Sequence, residues 1–279
     1  MLSASDPLYQ DRLGEGFFSS DDDTFVIRSV KVVGDGALGS RGAALIDDYS
    51  DEPGNRGLLR YDDERLEFLM RVAMNAGFQV ATHAIGDNAN LKVMDNYERL
   101  INETDTQAMR HRIEHAQILR YEDILRFAEL GVIPSMQATH ATSDKNMAED
   151  RIGSVRIQGA YAWRKLLDTG AIIANGSDFP VESPNPFWGL HASVTRQGQD
   201  NEPPGGWYPE ERMTLVEAFA SFTIDAAYAG HQEEILGTLE TGKKADFIFL
   251  DRDMFTIPEN ELWQVQATET WVNGVKVTD

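Results

Sequence analysis

Short apolar runs alternate with longer segments whose apolar residues recur every three to four positions. The run 25–33 (FVIRSVKVV) reads as a strand and ends at the turn Gly34-Asp35-Gly36. A helix is predicted over 62–75, with Leu66, Leu69, Met70 and Ala73 on one face and Gly77 as its stop. Strands over 78–84, 112–116, 132–137 and 171–174 follow, separated by helices over 88–100, 121–130 and 159–167. Strand–helix alternation of this kind predicts an α/β fold with a parallel sheet and helices outside it. After 178 the pattern changes. A Pro/Gly loop at 201–208 precedes a helix over 214–228, with Thr214 as cap and Glu217 three residues on. Short strands at 245–250 and 269–277, the latter broken by Asn273-Gly274, predict a small β-appendage.

Polar residues fall at particular places in this pattern. His83, His115 and Asp178 each end an apolar strand, and Lys31 lies in the first one. In a (β/α) barrel the C-terminal ends of the strands carry the chemistry. A lone histidine of this type is ordinarily a hydrogen-bonded core residue. Two imidazoles and a carboxylate at one rim instead suit a divalent ion, most simply Zn, with Mn, Fe or Ni as alternatives.

Composition narrows the picture. The 279 residues contain no cysteine, so thiolate nucleophiles, disulfides and Cys-held zinc are excluded. Acidic residues outnumber basic ones 46 to 25, a net charge of −21, which argues against nucleic acid and anionic membrane partners. The basic residues are 18 Arg and 7 Lys, and an acidic, Lys-poor surface suits a high-salt cytoplasm. No apolar stretch approaches the roughly 18 residues of a membrane span, and the N-terminus lacks a secretory pattern, so a cytoplasmic location is expected.

Seven motifs occur in order: KVVGDGALGSR (31–41), THAIGD (82–87), RIEHAQ (112–117), SMQATHATSD (135–144), GAYAWRKLLDTG (159–170), GSDFPVESPNP (176–186) and GTLETGKKADFIFLDRD (237–253). Together they resemble the metal-dependent amidohydrolase superfamily, in its amidohydrolase-3 branch of YtcJ-like proteins and N-substituted formamide deformylases. The resemblance implies part of a (β/α)8 TIM-like barrel, strands four to eight with their helices, plus the C-terminal strands of a small β-sandwich. The implied divisions are a disordered segment 1–24, a partial barrel 25–235 and a sandwich portion 236–279. It also implies hydrolysis of a non-peptide C–N bond in a small amide-like substrate. Position by position, His83 and His115 match metal ligands of strands five and six. Asp178 matches the strand-eight aspartate that binds metal and shuttles the proton. Lys31 matches a lysine that, once carboxylated, bridges two metals.

The family's first-strand His-x-His is absent, since the histidines are His83, His111, His115, His140, His191 and His231. Strands one to three are therefore expected to be missing, leaving open sheet edges that favour self-association or an N-terminal partner half. A non-catalytic fragment is the competing expectation, and a barrel hydrolase acting on esters or phosphoesters a third. His140, Gln117, Asp35 and Arg41 are candidate substrate contacts. For Asp35 and Arg41 the alternative is a Gly-rich turn held by local bonds. Trp207, Tyr161 and Glu182 are weaker candidates. His111, His191 and His231 read as structural.

Overall fold

The computed structural model describes residues 1–277. In chain order the elements are β1 (Leu2–Ser3), α1 (Tyr9–Gly14), β2 (Phe18–Ser19), β3 (Val26–Ile27), β4 (Ser29–Val33), α2 (Asp63–Asn75), β5 (Gln79–Ala84), α3 (Asp87–Thr104), β6 (Arg112–His115), α4 (Ile124–Leu130), β7 (Ile133–Met136), α5 (Ala138–Asp144), α6 (Ala148–Arg156), α7 (Trp163–Asp168), β8 (Ala174–Asn175), α8 (Pro186–Thr195), α9 (Leu215–Phe222), α10 (Ile224–Ala229), β9 (Phe247–Leu250), β10 (Ala267–Val272) and β11 (Val275–Lys276). A six-stranded sheet runs β1-β4-β5-β6-β7-β8, with parallel pairing from β1 through β7, and β11-β10-β9 form a small antiparallel sheet. This is a partial (β/α) barrel with a β-appendage. No described helix is long and apolar enough to cross a membrane.

Two compact units share the chain. The first holds Met1–Ser135, Met147–Ala162 and Asp168–Ala171; the second holds Met136–Asn146, Trp163–Leu167 and Ile172–Asp279.

In the first unit, α2 forms because Asp62 caps it, accepting from Arg65 N at 2.8 Å, and Asp63 and Glu64 face the positive end of its dipole. Its buried Leu66, Leu69, Met70, Ala73 and Met74 follow the helical period, and full burial of each large one stabilises by about 1.5–3 kcal/mol. Residues 1–24, expected as disordered, instead carry β1, α1 and β2, with Tyr9 and Leu13 buried. Tyr9 Oη donates to Leu69 O at 2.9 Å. β1 pairs in parallel with Val30 and Lys31, so part of the β4 edge expected to be open is covered.

The stretch between β4 and α2 has neither helix nor strand, yet it is packed. Leu38, Ala43, Ala44, Leu45 and Tyr49 are buried. Arg156 donates to Asp47 O and Asp48 O at 3.0 and 2.8 Å, and Ser50 N donates to Arg151 O at 2.8 Å, which ties the stretch to α6.

In the second unit, Met136 at the end of β7 accepts from Gly176 N at 3.1 Å, beside β8. The helix expected over 214–228 is two helices, because Thr223 leaves helical geometry at φ −124°, ψ −94°. The capping box of Thr214 and Glu217 is present, and Arg164 binds the same carboxylate through Nη1 at 3.0 Å. Asn273 and Gly274, at φ +50° and +76°, make the β10–β11 hairpin turn as expected.

Candidate active site

The parallel register aligns Val33 with His83, His83 with Glu114, and Ala84 with His115. Side chains alternate along a strand, so His83 and Glu114 share one sheet face and a regular β6 would send His115 to the other. The rings of His83 and His115 nonetheless lie 4.5 Å apart at 72°. The backbone explains this. His115 and Ala116 have φ of +76° and +44°, so the strand turns at its last residue and re-aims the imidazole. A left-handed histidine costs conformational energy, and such residues concentrate where function requires them.

Lys31 pairs with Ala81 two positions before the Val33–His83 pair, which puts it half-buried on the His83 face. Glu114, not singled out from the sequence, is a buried carboxylate beside His83, and Arg112 Nε donates to it at 3.0 Å. Only the strand register reveals that neighbour, since the sequence offers it merely as one residue before His115.

Asp35 organises the rim. Its buried carboxylate accepts from Ala44 N, Ile85 N and Gly86 N at 2.9, 3.0 and 2.8 Å. Its Oδ1 is also 3.3 Å from His83 Nε2, a buried nitrogen that makes no hydrogen bond. The close approach of the loop requires Gly86, because a Cβ there would lie 2.0 Å from Ala44 O. Asn90 Nδ2 adds contacts to the carbonyls of Ala84, Ile85, Gly86 and Ile118 at 3.2, 3.2, 2.9 and 3.1 Å.

The remaining candidates are placed as follows. Gln117 is buried and donates to Tyr161 Oη at 2.8 Å, while Tyr161 N donates to Gln117 O at 2.8 Å. Arg41 is bidentate on Asp51, at 3.1 and 2.9 Å, and reaches Glu52 at 3.2 Å. These partners hold the Arg41 guanidinium above its usual range and the Asp51 carboxyl below its own. Arg151 binds Asp51 as well, so the group staples the β4–α2 stretch. His140 is half-buried in α5, and Asp178 is exposed in a turn after β8; both belong to the second unit. Asp178 is at φ +55°, and its carbonyl accepts from Val181 N at 2.8 Å. His111 accepts from Val80 N through Nδ1 at 3.0 Å, and His191 bonds Asn201 at 3.1 Å; both are buried structural residues, as expected.

The donor chemistry of the first unit fits a divalent ion at two positions: two imidazoles whose rings lie 4.5 Å apart. Among the described residues no three His or carboxylate side chains converge closely enough to cage an ion.

Comparison with known proteins agrees with this architecture. The family described as the amidohydrolase family matches over residues 6–278. The chain is 38% identical over 225 residues to "Protein LONG AFTER FAR-RED 3" of Arabidopsis thaliana, covering 79% of this chain and 38% of that protein. It is 33% identical over 246 residues to "Putative amidohydrolase YtcJ" of Bacillus subtilis, covering 88% and 46%. An uncharacterized metal-dependent hydrolase from Pyrococcus horikoshii superposes with a TM-score of 0.79 at 30% identity, covering 92% of this chain and 50% of that one. The chain thus spans half or less of the length of these relatives.

Proposed function

This chain belongs to the amidohydrolase family, in its amidohydrolase-3 branch, and we propose that it serves the metal-dependent hydrolysis of a non-peptide C–N bond in a small amide, formamide or cyclic amide. The observation that carries this is the contact of the His83 and His115 rings at the C-terminal ends of adjacent parallel strands. His83 and His115 would hold a divalent ion, with Zn the first choice by ligand type and Lys31 as a further donor once carboxylated. When bound, the ion supplies Lewis acidity, which makes water a nucleophile near neutral pH and polarises a carbonyl. Asp178 accepts the proton of the attacking water and delivers it to the departing amine nitrogen. Gln117 and His140 are assigned to orienting the substrate, with Asp35 holding the rim. Arg41, committed to Asp51 and Glu52, is assigned to holding the β4–α2 stretch rather than to a direct substrate contact.

The coverage of the relatives supports a second reading, in which the chain acts only with donors from a further segment, or is non-catalytic. Elemental mass spectrometry on the protein dialysed in high salt separates the two. About one tightly held Zn, Mn, Fe or Ni per chain supports the first reading, and turnover on a panel of amides, formamides and cyclic amides then identifies the bond. Folded protein that holds no metal sinks that reading for the chain alone.

A further inference from the structure

Asp35 differs from the other candidate residues in what surrounds it. Its side chain is 0% exposed, and three backbone N–H groups from two separate stretches converge on its two oxygens. Both oxygens are therefore acceptors, and the carboxylate is fixed in place by the loops it joins. The fourth neighbour is His83 Nε2, 3.3 Å from Oδ1. The contact is not aligned as a hydrogen bond, but the sign of the interaction is determined. An N–H beside a fixed carboxylate is attracted, whereas a lone pair there is repelled, and burial strengthens the difference. The other ring nitrogen, Nδ1, makes no hydrogen bond to any described residue, and the imidazole is 16% exposed.

We propose that Asp35 is a positioning residue that holds His83 as its Nε2–H tautomer, leaving Nδ1 as the ligand nitrogen. The inference rests on the reading of His83 as a metal ligand. A carboxylate behind a ligating imidazole fixes both tautomer and ring orientation, and its loss costs about 10–100-fold in metal affinity. Asp35 adds a second constraint, because the same side chain holds Ile85 and Gly86, the residues that follow β5 and its His83.

The test is a long-range ¹H–¹⁵N correlation spectrum of the full chain, labelled at histidine and free of metal, at a pH where imidazoles are neutral. His83→Gln identifies the His83 signals by their disappearance. The expected result is a protonated Nε2 and a bare Nδ1 at His83, with Asp35→Asn shifting the population toward the other tautomer and weakening Zn binding by about 10–100-fold. An Nδ1–H tautomer in the unaltered protein overturns the proposal, and this holds even if Asp35→Asn fails to fold. A tautomer unmoved by Asp35→Asn in folded protein overturns it too. Added Zn alone distinguishes the underlying reading. A shift of the His83 Nδ1 signal supports it, whereas an Nε2–H tautomer indifferent to Zn removes the ligand role and leaves only the Asp35–His83 contact.

Discussion

Asp178 occupies a left-handed position, φ +55°, that asparagine tolerates as well as aspartate does. Asp178→Asn therefore removes the proposed proton acceptor without a backbone penalty. The expected outcome is a loss of about 100- to 10,000-fold in kcat on whichever amide is turned over. Stability should stay within about 0.5 kcal/mol of the parent. Steady-state kinetics beside a denaturant titration checks both, and an unchanged kcat would remove Asp178 from the chemistry. At this scale the sequence was legible where a residue's position follows from its place at a strand end, as for His83 and His115, whose rings meet. It was not legible where the partner lies some fifty positions away: Asp35 reads as a turn residue until Ile85 and Gly86 are seen to donate to it. Nor does any local signal announce that His115 leaves the β region.

The helices carry their own predictions. Glu217 caps α9 and receives Arg164, and that guanidinium, ahead of the Thr214 bonds, holds its carboxyl down at about 2. A folded-state value below the ordinary one means that the contribution is complete above the unfolded carboxyl's range. It is lost as pH falls toward 2. Melting temperature should thus fall less steeply with acidification in Glu217→Gln than in the parent, although the variant starts lower at neutral pH. Parallel melting curves against pH would discredit the pairing. Gly86, just ahead of α3, has an ordinary φ of −71°, so its constraint is steric rather than conformational. Gly86→Ala should cost about 1–3 kcal/mol or more by urea titration, because the clash is with the Ala44 backbone carbonyl. Strands β4 to β7 and the long helices α2 and α3 were readable from their apolar period, whereas the two-residue strands β1 and β2 were not. The break at Thr223 was not, since α9 and α10 continue one apolar pattern. α5 and α6 were missed too, as α6 holds Gly153 at φ +75° and only Ala148 and Ile152 buried. The packed stretch from 34 to 62 lacks any period, so the sequence showed only its glycines.

The whole molecule carries a net charge of −21, and its ion pairs use much of the scarce arginine. Self-repulsion among the surplus carboxylates should weaken as the screening length drops from about 10 Å at 0.1 M salt to about 3 Å at 1 M. Raising KCl over that range should stabilise the fold by at least about 1 kcal/mol, a rise of roughly 2–4 °C in melting temperature. A flat or falling curve by scanning calorimetry would show that the carboxylates are spaced too widely to repel. The division into compact units has a consequence of a different kind. The first unit is completed only by Met147–Ala162 and Asp168–Ala171, and the second begins at Met136. No single cut yields either unit whole, so a limited-proteolysis fragment or a split-gene half would always lack part of its own core. On the ribosome the first unit must wait, with β4 to β6 already emerged, until residues near 171 clear the exit tunnel.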